Sequence, residues 1–438
     1  MKPRLTPLDP WIAHKIGRPD WQLTREALEA YQLEKLRETL RLVRLKSRFY
    51  QKRFDDAPHY LSSLRDLAQF PFTTAQDIRE QGLQFLCVSQ DEIQRVVTLD
   101  TSGTTGQPKC LYFTKEDQEL TIDFFRIGMS TFTEPGDKVL ILLPCERAGS
   151  VGDLLAIALL RLGAQPIRHG VVRDISETLN MMNQERANGL VGIPTQVLAL
   201  ARYGEGLRLD SVLLTTDHVP DAIAGAVEHA WGCRVYNHYG MTEMGLGGGV
   251  ECQARRGYHL READMLFEMV NPVTGEPVAE GETGEVVFTT LTRRGMPLIR
   301  YRTGDMSRFI PSECPCGTAL KTLEQVRGRV GGCVAVGDQW HLTMADLDEA
   351  LFSIAGVLDF TALVSRDGRQ DRLRLEVKVV EEANDDIAGA IDAALESIPA
   401  VESARTSDQL EVVAAMQKTR SIISRPIKRT IMDRRTGA

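Results

Sequence analysis

Short apolar segments alternate with longer amphipathic segments through the middle of the chain. The apolar runs have the composition of buried β-strands and lie at residues 138–144, 164–167, 190–193 and 211–215. Apolar residues recur at helical spacing after each run, at residues 153–162, 177–187, 195–203 and 221–231. This alternation predicts a parallel sheet with helices on both faces. Ligands of such sheets bind beyond the carboxyl ends of the strands.

The pattern changes on either side of this region. Residues 24–54 carry leucine and valine at helical spacing, which predicts one long amphipathic helix. Residues 257–308 contain short strand-like segments separated by glycine and proline, which predicts a more antiparallel region. We therefore expect an α/β fold. A large N-terminal domain, residues 1–329, would hold parallel sheets covered by helices plus a strand-rich region, and a small α/β domain would follow at residues 330–438.

The composition is that of a soluble globular protein. The chain has 438 residues, of which 43% are hydrophobic and 26% are charged, so it is long enough for two domains. The net charge of −8 argues against a general nucleic-acid binder. No apolar run reaches transmembrane length and the first residues lack a signal-peptide core, so we expect a cytoplasmic protein without a membrane partner. The eight cysteines are expected to be reduced thiols or metal ligands.

Residues 101–109 carry the strongest chemical signal. Hydroxyl side chains and two glycines crowd the start of this segment, and Lys109 ends it. Glycines let backbone N–H groups turn toward an anion, hydroxyls donate to phosphate oxygens, and lysine adds positive charge. The segments on both sides are strand-like, so the loop joins two strands and lacks the spacing of the helix-opening P-loop. From this loop alone, phosphate binding and an ordinary hairpin tip are both open.

Four further segments follow at residues 236–244, 283–288, 297–305 and 326–329. Together with the loop, their order and spacing resemble the acyl- and aryl-adenylating enzyme superfamily, and in particular its phenylacetate–CoA ligase-like branch. That branch carries a Tyr-Gly-x-x-Glu segment, a Pro-x-x-Arg-Tyr-x-Thr-Gly-Asp segment and a final Arg-x-x-Gly-Arg. This chain has Gln325 at the first arginine of the last motif. The resemblance covers about residues 60–435.

The resemblance implies an ATP site. Glu243 would bind magnesium, because a carboxylate beside a triphosphate is the hard oxygen ligand that this ion prefers, and Thr242 would donate to the α-phosphate. Asp305 would accept hydrogen bonds from both ribose hydroxyls. Arg329, with Arg327 as a second candidate, would approach the ribose and the α-phosphate. The other residues expected at ATP or AMP are Ser102, Gly103, Thr104, Thr105, Gly106, Lys109, Thr216, Asp217, His218, Tyr239, Gly240 and Met241.

Two features of the C-terminal part bear on the conformational cycle. The family has a C-terminal lysine that contacts the carboxylate and the α-phosphate during adenylation. Lys428 is the candidate here, although the alignment on Asp433 requires a one-residue shift, and an ordinary solvated lysine is the alternative. In this superfamily the small C-terminal domain is mobile and rotates about a hinge just after the Gly-Arg pair. The equivalent hinge lies near Gly331 and Gly332, and glycines absorb large φ/ψ changes.

Four residues suggest a structural zinc site. Cys314 and Cys316 form a tight thiol pair, and Cys252 lies close in sequence to His259. Some members of the branch carry a zinc ion on such a set of three thiolates and one imidazole, a closed site that pins a hairpin and activates no water. Reduced loop cysteines and a surface histidine are the alternative.

The resemblance implies an ATP-dependent acid–CoA ligase. A small aromatic carboxylic acid would react with ATP to form an acyl-adenylate and pyrophosphate, and coenzyme A would then displace AMP. The acid pocket is expected to include Arg147, Ala148, Gly149, Ile193, Pro194, Asn237 and His238. Alternatives are transfer to an amine or a carrier protein, an adenylyltransferase similar to coenzyme F390 synthetase, and a non-catalytic nucleotide-binding protein. A homodimer is open as an alternative to a monomer.

Overall fold

A computed structural model describes residues 4–19, 22–99, 108–368, 370–384, 386–420 and 429–435. Its helices are α1 (Leu8–Lys15), α2 (Arg25–Lys46), α3 (Arg48–Arg53), α4 (Ala75–Gln81), α5 (Lys115–Met129), α6 (Val151–Leu162), α7 (Ile175–Glu185), α8 (Pro194–Tyr203), α9 (Asp221–Trp231), α10 (Met344–Phe352), α11 (Ile387–Glu396) and α12 (Pro399–Thr406). No helix in these ranges is long and apolar enough to cross a bilayer.

The strands of the same residues are β1 (Ile93–Leu99), β2 (Lys109–Thr114), β3 (Lys138–Leu142), β4 (Gln165–Arg168), β5 (Gly189–Gly192), β6 (Ser211–Leu214), β7 (Arg234–Tyr239), β8 (Gly249–Glu251), β9 (Tyr258–Leu260), β10 (Met265–Val270), β11 (Gly284–Thr290), β12 (Tyr301–Ser307), β13 (Thr322–Leu323), β14 (Gly328–Arg329), β15 (Cys333–Val336), β16 (Trp340–Thr343), β17 (Val357–Asp367), β18 (Gln370–Val379), β19 (Leu410–Lys418) and β20 (Ile431–Asp433).

The chain divides into two compact units. The first unit comprises Met1–Pro135, Glu146–Ala164 and Asn237–Val326. The second unit comprises Gly136–Cys145, Gln165–Tyr236 and Arg327–Ala438. The predicted division into an N-terminal domain, residues 1–329, and a mobile C-terminal domain, residues 330–438, stays a prediction.

Antiparallel strands dominate the first unit. β10, β11 and β12 form an antiparallel ladder in which Phe288 pairs with Phe267 on one side and with Tyr301 on the other. β1 and β2 are antiparallel, as expected for strands that flank the Thr/Gly loop. The loop residues 100–107 lie outside the described residues. Buried aromatic side chains fill the core, with Phe49 stacked on Phe85 at 4.0 Å between ring centroids.

The predicted single helix over residues 24–54 is in fact two helices, α2 and α3. Ser47 separates them because its backbone is extended, with φ −87° and ψ 116°. Its hydroxyl accepts a hydrogen bond from the Tyr50 amide at 3.3 Å and donates to the Gln84 carbonyl at 3.0 Å. Serine side chains compete in this way with the helical backbone, so a serine within a periodic pattern can start a new helix.

The second unit contains the predicted parallel sheet. β4, β3, β5 and β6 are neighbours in that order and all of them are parallel. Each strand is within a few residues of its predicted position. β3, β5 and β6 are largely buried, as expected of short apolar runs between helices, whereas β4 lies at the edge of the sheet. The expected α/β fold is therefore confirmed. A second sheet of the unit has the order β19–β18–β17–β20 and carries α10, α11 and α12 beside it.

Direct contacts join the C-terminal part of the second unit to residues 165–236. The Arg202 guanidinium donates to the carbonyls of Phe352 and Ile354 at 3.1 and 3.2 Å. The Glu349 carboxylate accepts from the backbone N–H groups of Asp221 and Ala222, at 2.8 and 2.9 Å. These two amides open α9, where a carboxylate is favoured by the helix dipole.

Candidate functional site

Backbone geometry fixes the turn that carries Glu243. β7 ends at Tyr239, and a short 3₁₀ helix, Thr242–Met244, follows. A Cβ atom at Gly240 would lie 2.1 Å from the Leu246 carbonyl oxygen, so only glycine fits there. The turn closes through a hydrogen bond from the Leu246 amide to the Met241 carbonyl at 2.9 Å. The Tyr-Gly-x-x-Glu spacing therefore places one carboxylate at a defined point after β7.

Glu243 is buried and its carboxylate forms an ion pair with Lys109, the first residue of β2. The Tyr301 hydroxyl donates to the same carboxylate oxygen, Oε1, at 2.8 Å. Burial is the largest single influence and would raise the pKa of Glu243, but the charge of Lys109 and the hydrogen bonds from Lys109, the backbone and Tyr301 together hold that pKa below its usual value. The turn therefore carries an ionised carboxylate at neutral pH.

Arg293 stabilises this turn through a hydrogen bond. Its Nη1 donates to the Glu243 carbonyl at 2.7 Å, and its guanidinium lies over the Phe113 ring at 4.4 Å from the centroid. Sequence reasoning assigned no role to Arg293 or Tyr301. Tyr301 lies within the motif at residues 297–305, so the motif could have identified it as a site residue. Arg293 precedes that motif and offered none.

Asp305 forms a hydrogen bond with Tyr239, and both residues are buried. The Tyr239 hydroxyl donates to Asp305 Oδ2 at 3.1 Å, and the Tyr239 ring stacks on Tyr258 with the centroids 5.6 Å apart. The Asp305 amide donates to the Thr303 hydroxyl at 3.0 Å. Burial and the neighbouring Asp305 raise the pKa of Tyr239 well above its ordinary value. The hydroxyl therefore stays a donor and orients the carboxylate.

Arg300 and Gln325 both occupy positions in the sequence motifs, and both form hydrogen bonds within the first unit. Arg300 is buried, and its Nη1 donates to the carbonyls of Ala68 and Phe70 at 2.8 and 2.7 Å. Gln325 occupies the first arginine position of the last motif, and its Nε2 donates to the buried Glu251 carboxylate at 2.9 Å. Both residues therefore stabilise the first unit.

The predicted nucleotide residues are divided between the units. The first unit holds Lys109, Tyr239, Gly240, Met241, Thr242, Glu243 and Asp305. The second unit holds Thr216, Asp217, His218, Arg327 and Arg329. Ser102, Gly103, Thr104, Thr105, Gly106 and Lys428 lie outside the described residues.

Thr216 has an unusual backbone conformation. Its φ is +80°, in the left-handed region that β-branched residues rarely adopt. The next residue, Asp217, accepts a hydrogen bond from the His218 amide at 2.9 Å. Glycine is the residue that adopts this backbone conformation without strain. Arg327 forms an ion pair with Asp221 at 2.9 Å, and both side chains are exposed.

The predicted acid-pocket residues also come from both units. Arg147, Ala148, Gly149, Asn237 and His238 belong to the first unit, and Ile193 and Pro194 precede and open α8 in the second. Gly149 has φ +73°, and its amide donates to Asp153 Oδ2 at 2.9 Å.

Aromatic rings surround His238. Its ring centroid lies 6.2 Å from that of Phe124 and 6.1 Å from that of Phe125. Burial lowers the pKa of His238 to about 4. The imidazole is therefore neutral at physiological pH and offers one donor and one acceptor nitrogen.

The structure brings Cys252, His259, Cys314 and Cys316 together. All four residues are buried, and one potential ligand atom of each lies within 4.8 Å of the others. Cys252 follows β8, His259 lies in β9, and the other two cysteines lie in the loop before β13. The α1 residue Asp9 holds this loop, because its carboxylate accepts hydrogen bonds from the Thr318 hydroxyl and from the Ala319 amide.

Two separations between these atoms are close to those of a tetrahedral zinc site. The sulfurs of Cys252 and Cys314 are 3.6 Å apart, and the Cys316 sulfur is 3.5 Å from His259 Nε2. Zinc bonds of about 2.3 Å to sulfur and 2.0–2.1 Å to nitrogen give about 3.8 and 3.5 Å for these separations in a tetrahedron. Four protein ligands would close the site.

Comparison with known proteins identifies the family. The AMP-binding enzyme family matches residues 32–291, and this stretch contains both Lys109 and Glu243. The phenylacetate-coenzyme A ligase of Thermus thermophilus is 30% identical over 378 residues, which cover 82% of this chain and 83% of that protein. The chain is an AMP-binding enzyme.

This AMP-binding enzyme lies in the phenylacetate–CoA ligase-like branch, as the sequence motifs predicted. The phenylacetate-coenzyme A ligase of Escherichia coli is 27% identical to it, over 81% of this chain and 83% of that protein. Among solved structures, a 2-hydroxyisobutyryl-CoA ligase in the postadenylation state has a TM-score of 0.78 and 20% identity. The match covers 94% of this chain and 91% of that one, and it shows that the two proteins share a fold.

Proposed function

We propose that this chain is an ATP-dependent carboxylic acid–CoA ligase that acts on a small aromatic acid. A carboxylate oxygen of the acid attacks the α-phosphorus of ATP, and pyrophosphate leaves. The sulfur of coenzyme A then attacks the acyl carbonyl carbon of the adenylate, and AMP leaves with the thioester as product. Family membership and the relatives that are named phenylacetate-coenzyme A ligases support this activity.

The Lys109–Glu243 pair is the observation that carries the proposal. A buried carboxylate next to a lysine at the end of a Thr/Gly loop suits a magnesium–triphosphate ligand. Magnesium held by Glu243 would neutralise triphosphate charge. Lys109 would exchange Glu243 for phosphate oxygens when the nucleotide binds, and the Tyr301 hydroxyl would keep the carboxylate oriented.

Further residues would position the nucleotide. Asp305, oriented by Tyr239, would accept both ribose hydroxyls. Thr242 and Arg329 would contact the α-phosphate, where a hydroxyl and a guanidinium stabilise developing negative charge. Lys428 would contribute charge during adenylation only. Lys428→Ala should slow adenylate formation strongly and still convert a supplied acyl-adenylate and coenzyme A to product. If Lys428→Ala carries out each half-reaction at the wild-type rate, Lys428 does not have that role.

The substrate class rests on His238 and its surroundings. Phe124 and Phe125 place aromatic rings next to an imidazole that stays neutral at physiological pH. Aromatic rings favour an aromatic acid. The imidazole can hydrogen-bond a polar substituent, so a substituted aryl acid suits this environment at least as well as phenylacetate.

The cysteine–histidine cluster would hold one structural zinc ion. The donor types of Cys252, Cys314, Cys316 and His259, and the two separations of 3.6 and 3.5 Å, support this proposal. The ion would link the β8–β9 segment to the loop before β13, without a role in the reaction.

A pyrophosphate-release assay tests the proposed function. The purified enzyme is incubated with ATP, magnesium and a panel of aryl and aliphatic acids, with and without coenzyme A, and the products are identified by mass. We expect pyrophosphate release with small aryl acids and thioester formation only when coenzyme A is present. Transfer only to amines or carrier proteins would overturn the acceptor, and no release with any acid would overturn the activity.

A further inference from the structure

A small, partly open cavity, lined mostly by buried residues, lies beside the turn that carries Glu243. Met244 and Gly245 of this turn line it, together with residues of α5 and of the segments near residues 261–265 and 290–293. The cavity volume that a water molecule can occupy is about 20 Å³. Roughly 10–15 Å³ is enough for one water molecule. The cavity therefore has room for one water or one monatomic ion and excludes phosphate or an organic ligand.

Two buried arginines of the cavity wall have spare donors. Arg261 is 2% exposed and Arg293 is 6% exposed. Among the described residues, Nε of Arg261 and both Nε and Nη2 of Arg293 are buried and have no hydrogen-bond partner. Buried donors of charged groups are costly to leave unpaired, so these N–H groups call for an acceptor.

The carboxylates of the same wall are already engaged. Asp117 accepts from the amides of Thr114, Arg294 and Gly295, at 3.1, 2.9 and 3.0 Å.

Asp264 is engaged in the same way. It accepts from the Lys15 ammonium on both oxygens, from the Thr292 hydroxyl and from Arg261 Nη2. Both carboxylates of the cavity wall thus already accept several hydrogen bonds from other groups, whereas three guanidinium N–H groups of Arg261 and Arg293 have no partner among the described residues.

We propose that this cavity binds one monatomic monovalent anion of the chloride class between Arg293 and Arg261. Such an anion accepts several N–H groups and donates to none, which matches a wall with spare donors. A water molecule would have to donate two hydrogens as well. The anion would fix the Arg293 guanidinium, whose Nη1 holds the Glu243 carbonyl, and would thereby stabilise the turn.

Anion-dependent thermal unfolding tests the proposal on the full chain. Unfolding temperatures are measured in chloride and in gluconate at equal ionic strength, because gluconate is too large for the cavity. The wild type and the variant Arg294→Met should unfold roughly 1–2 °C higher in chloride, as expected for a ligand that binds the folded state. Arg294 is the exposed neighbour of Arg293 and provides the matched control.

Arg293→Met should lose the difference between the two anions. The absence of this difference in the wild type, or its full retention in Arg293→Met, would overturn the proposal.

Crystals of the wild type grown with bromide provide a measurement that does not depend on any variant. We expect one anomalous-scattering peak inside the cavity, within about 3.5 Å of guanidinium nitrogens of Arg293 and Arg261. An ordered water in the cavity without anomalous signal would overturn the proposal even if Arg293→Met fails to fold.

Discussion

Lys109 and Glu243 form a buried ion pair although 134 residues separate them in the sequence. Lys109 opens β2 directly after the Thr/Gly loop, and Glu243 lies in the turn after β7. The pair therefore joins two sequence motifs that no local pattern connects. Since both charges are largely removed from water, the loss of either one leaves the other without compensation.

Glu243→Gln should lower magnesium-dependent adenylation by at least about a hundredfold, which corresponds to about 2.7 kcal/mol. The amide keeps the shape of the side chain but cannot provide the charge that would hold the metal. Pyrophosphate release at saturating acid measures the effect, and circular dichroism checks the fold. Glu280→Gln changes an exposed glutamate of the same unit and should leave the rate unchanged. A well-folded Glu243→Gln enzyme with the wild-type rate would contradict the assignment.

The protein purified without a metal-affinity resin should contain about one zinc per chain. Cys314→Ser should lose the metal and lower the unfolding temperature by roughly several degrees, because zinc binding contributes to the free energy of folding. Elemental analysis and thermal unfolding measure the two effects. Cys333→Ser, at an exposed cysteine outside the cluster, should change neither. Zinc-free wild-type protein would refute the site.

Thr216→Gly should stabilise the second unit by about 1 kcal/mol. The left-handed backbone at φ +80° strains a β-branched residue by roughly 1–3 kcal/mol, and glycine loses about 0.5–1 kcal/mol in chain entropy. Denaturant unfolding of the two proteins provides the comparison. Thr361→Gly, in β17 of the same unit, should instead destabilise, because that threonine has no strain to release. Destabilisation by both substitutions would show that Thr216 is not strained.

Sequence patterns predicted the elements whose burial is regular. β3, β5 and β6 were predicted because a strand covered on both faces is apolar along nearly its whole length. The turn at Glu243 and the cysteine–histidine set were singled out through the resemblance to a known family. The structure brings the four cysteine and histidine residues together, and the roles of both sets stay predictions.

Side chains with unexpected burial could not be predicted. Arginine is usually exposed, so nothing in the sequence indicated that Arg261, Arg293 and Arg300 are buried. Each of them donates to backbone carbonyls of distant segments, such as that of Glu243 for Arg293, and only the fold brings these groups together. The break at Ser47 was missed for a related reason, because the hydroxyl is satisfied partly by the distant Gln84 carbonyl.

His238 should make stability depend on pH between about 4 and 6.5. Its pKa is lowered to about 4 in the folded chain, so in this window the unfolded chain binds a proton that the folded chain does not. Stability should therefore be full above about pH 6.5 and fall toward pH 4, by about 1–3 kcal/mol for this group.

Denaturant unfolding at pH 7 and pH 4.5 measures the effect. His238→Gln should reduce the loss of stability between the two values, whereas His229→Gln, at an exposed histidine, should reproduce the wild type. If His238→Gln loses as much stability between pH 7 and pH 4.5 as the wild type, a group other than His238 causes the pH dependence.

Oxygen-isotope transfer tests the central claim most directly. The enzyme is supplied with ATP, magnesium, coenzyme A and an aryl acid labelled with ¹⁸O in its carboxylate. If the acid oxygen attacks the α-phosphorus and AMP leaves when the thioester forms, the AMP must carry one labelled oxygen, in equal amount to the acyl-CoA. Unlabelled AMP, or ADP and phosphate in its place, would contradict an acyl-adenylate route.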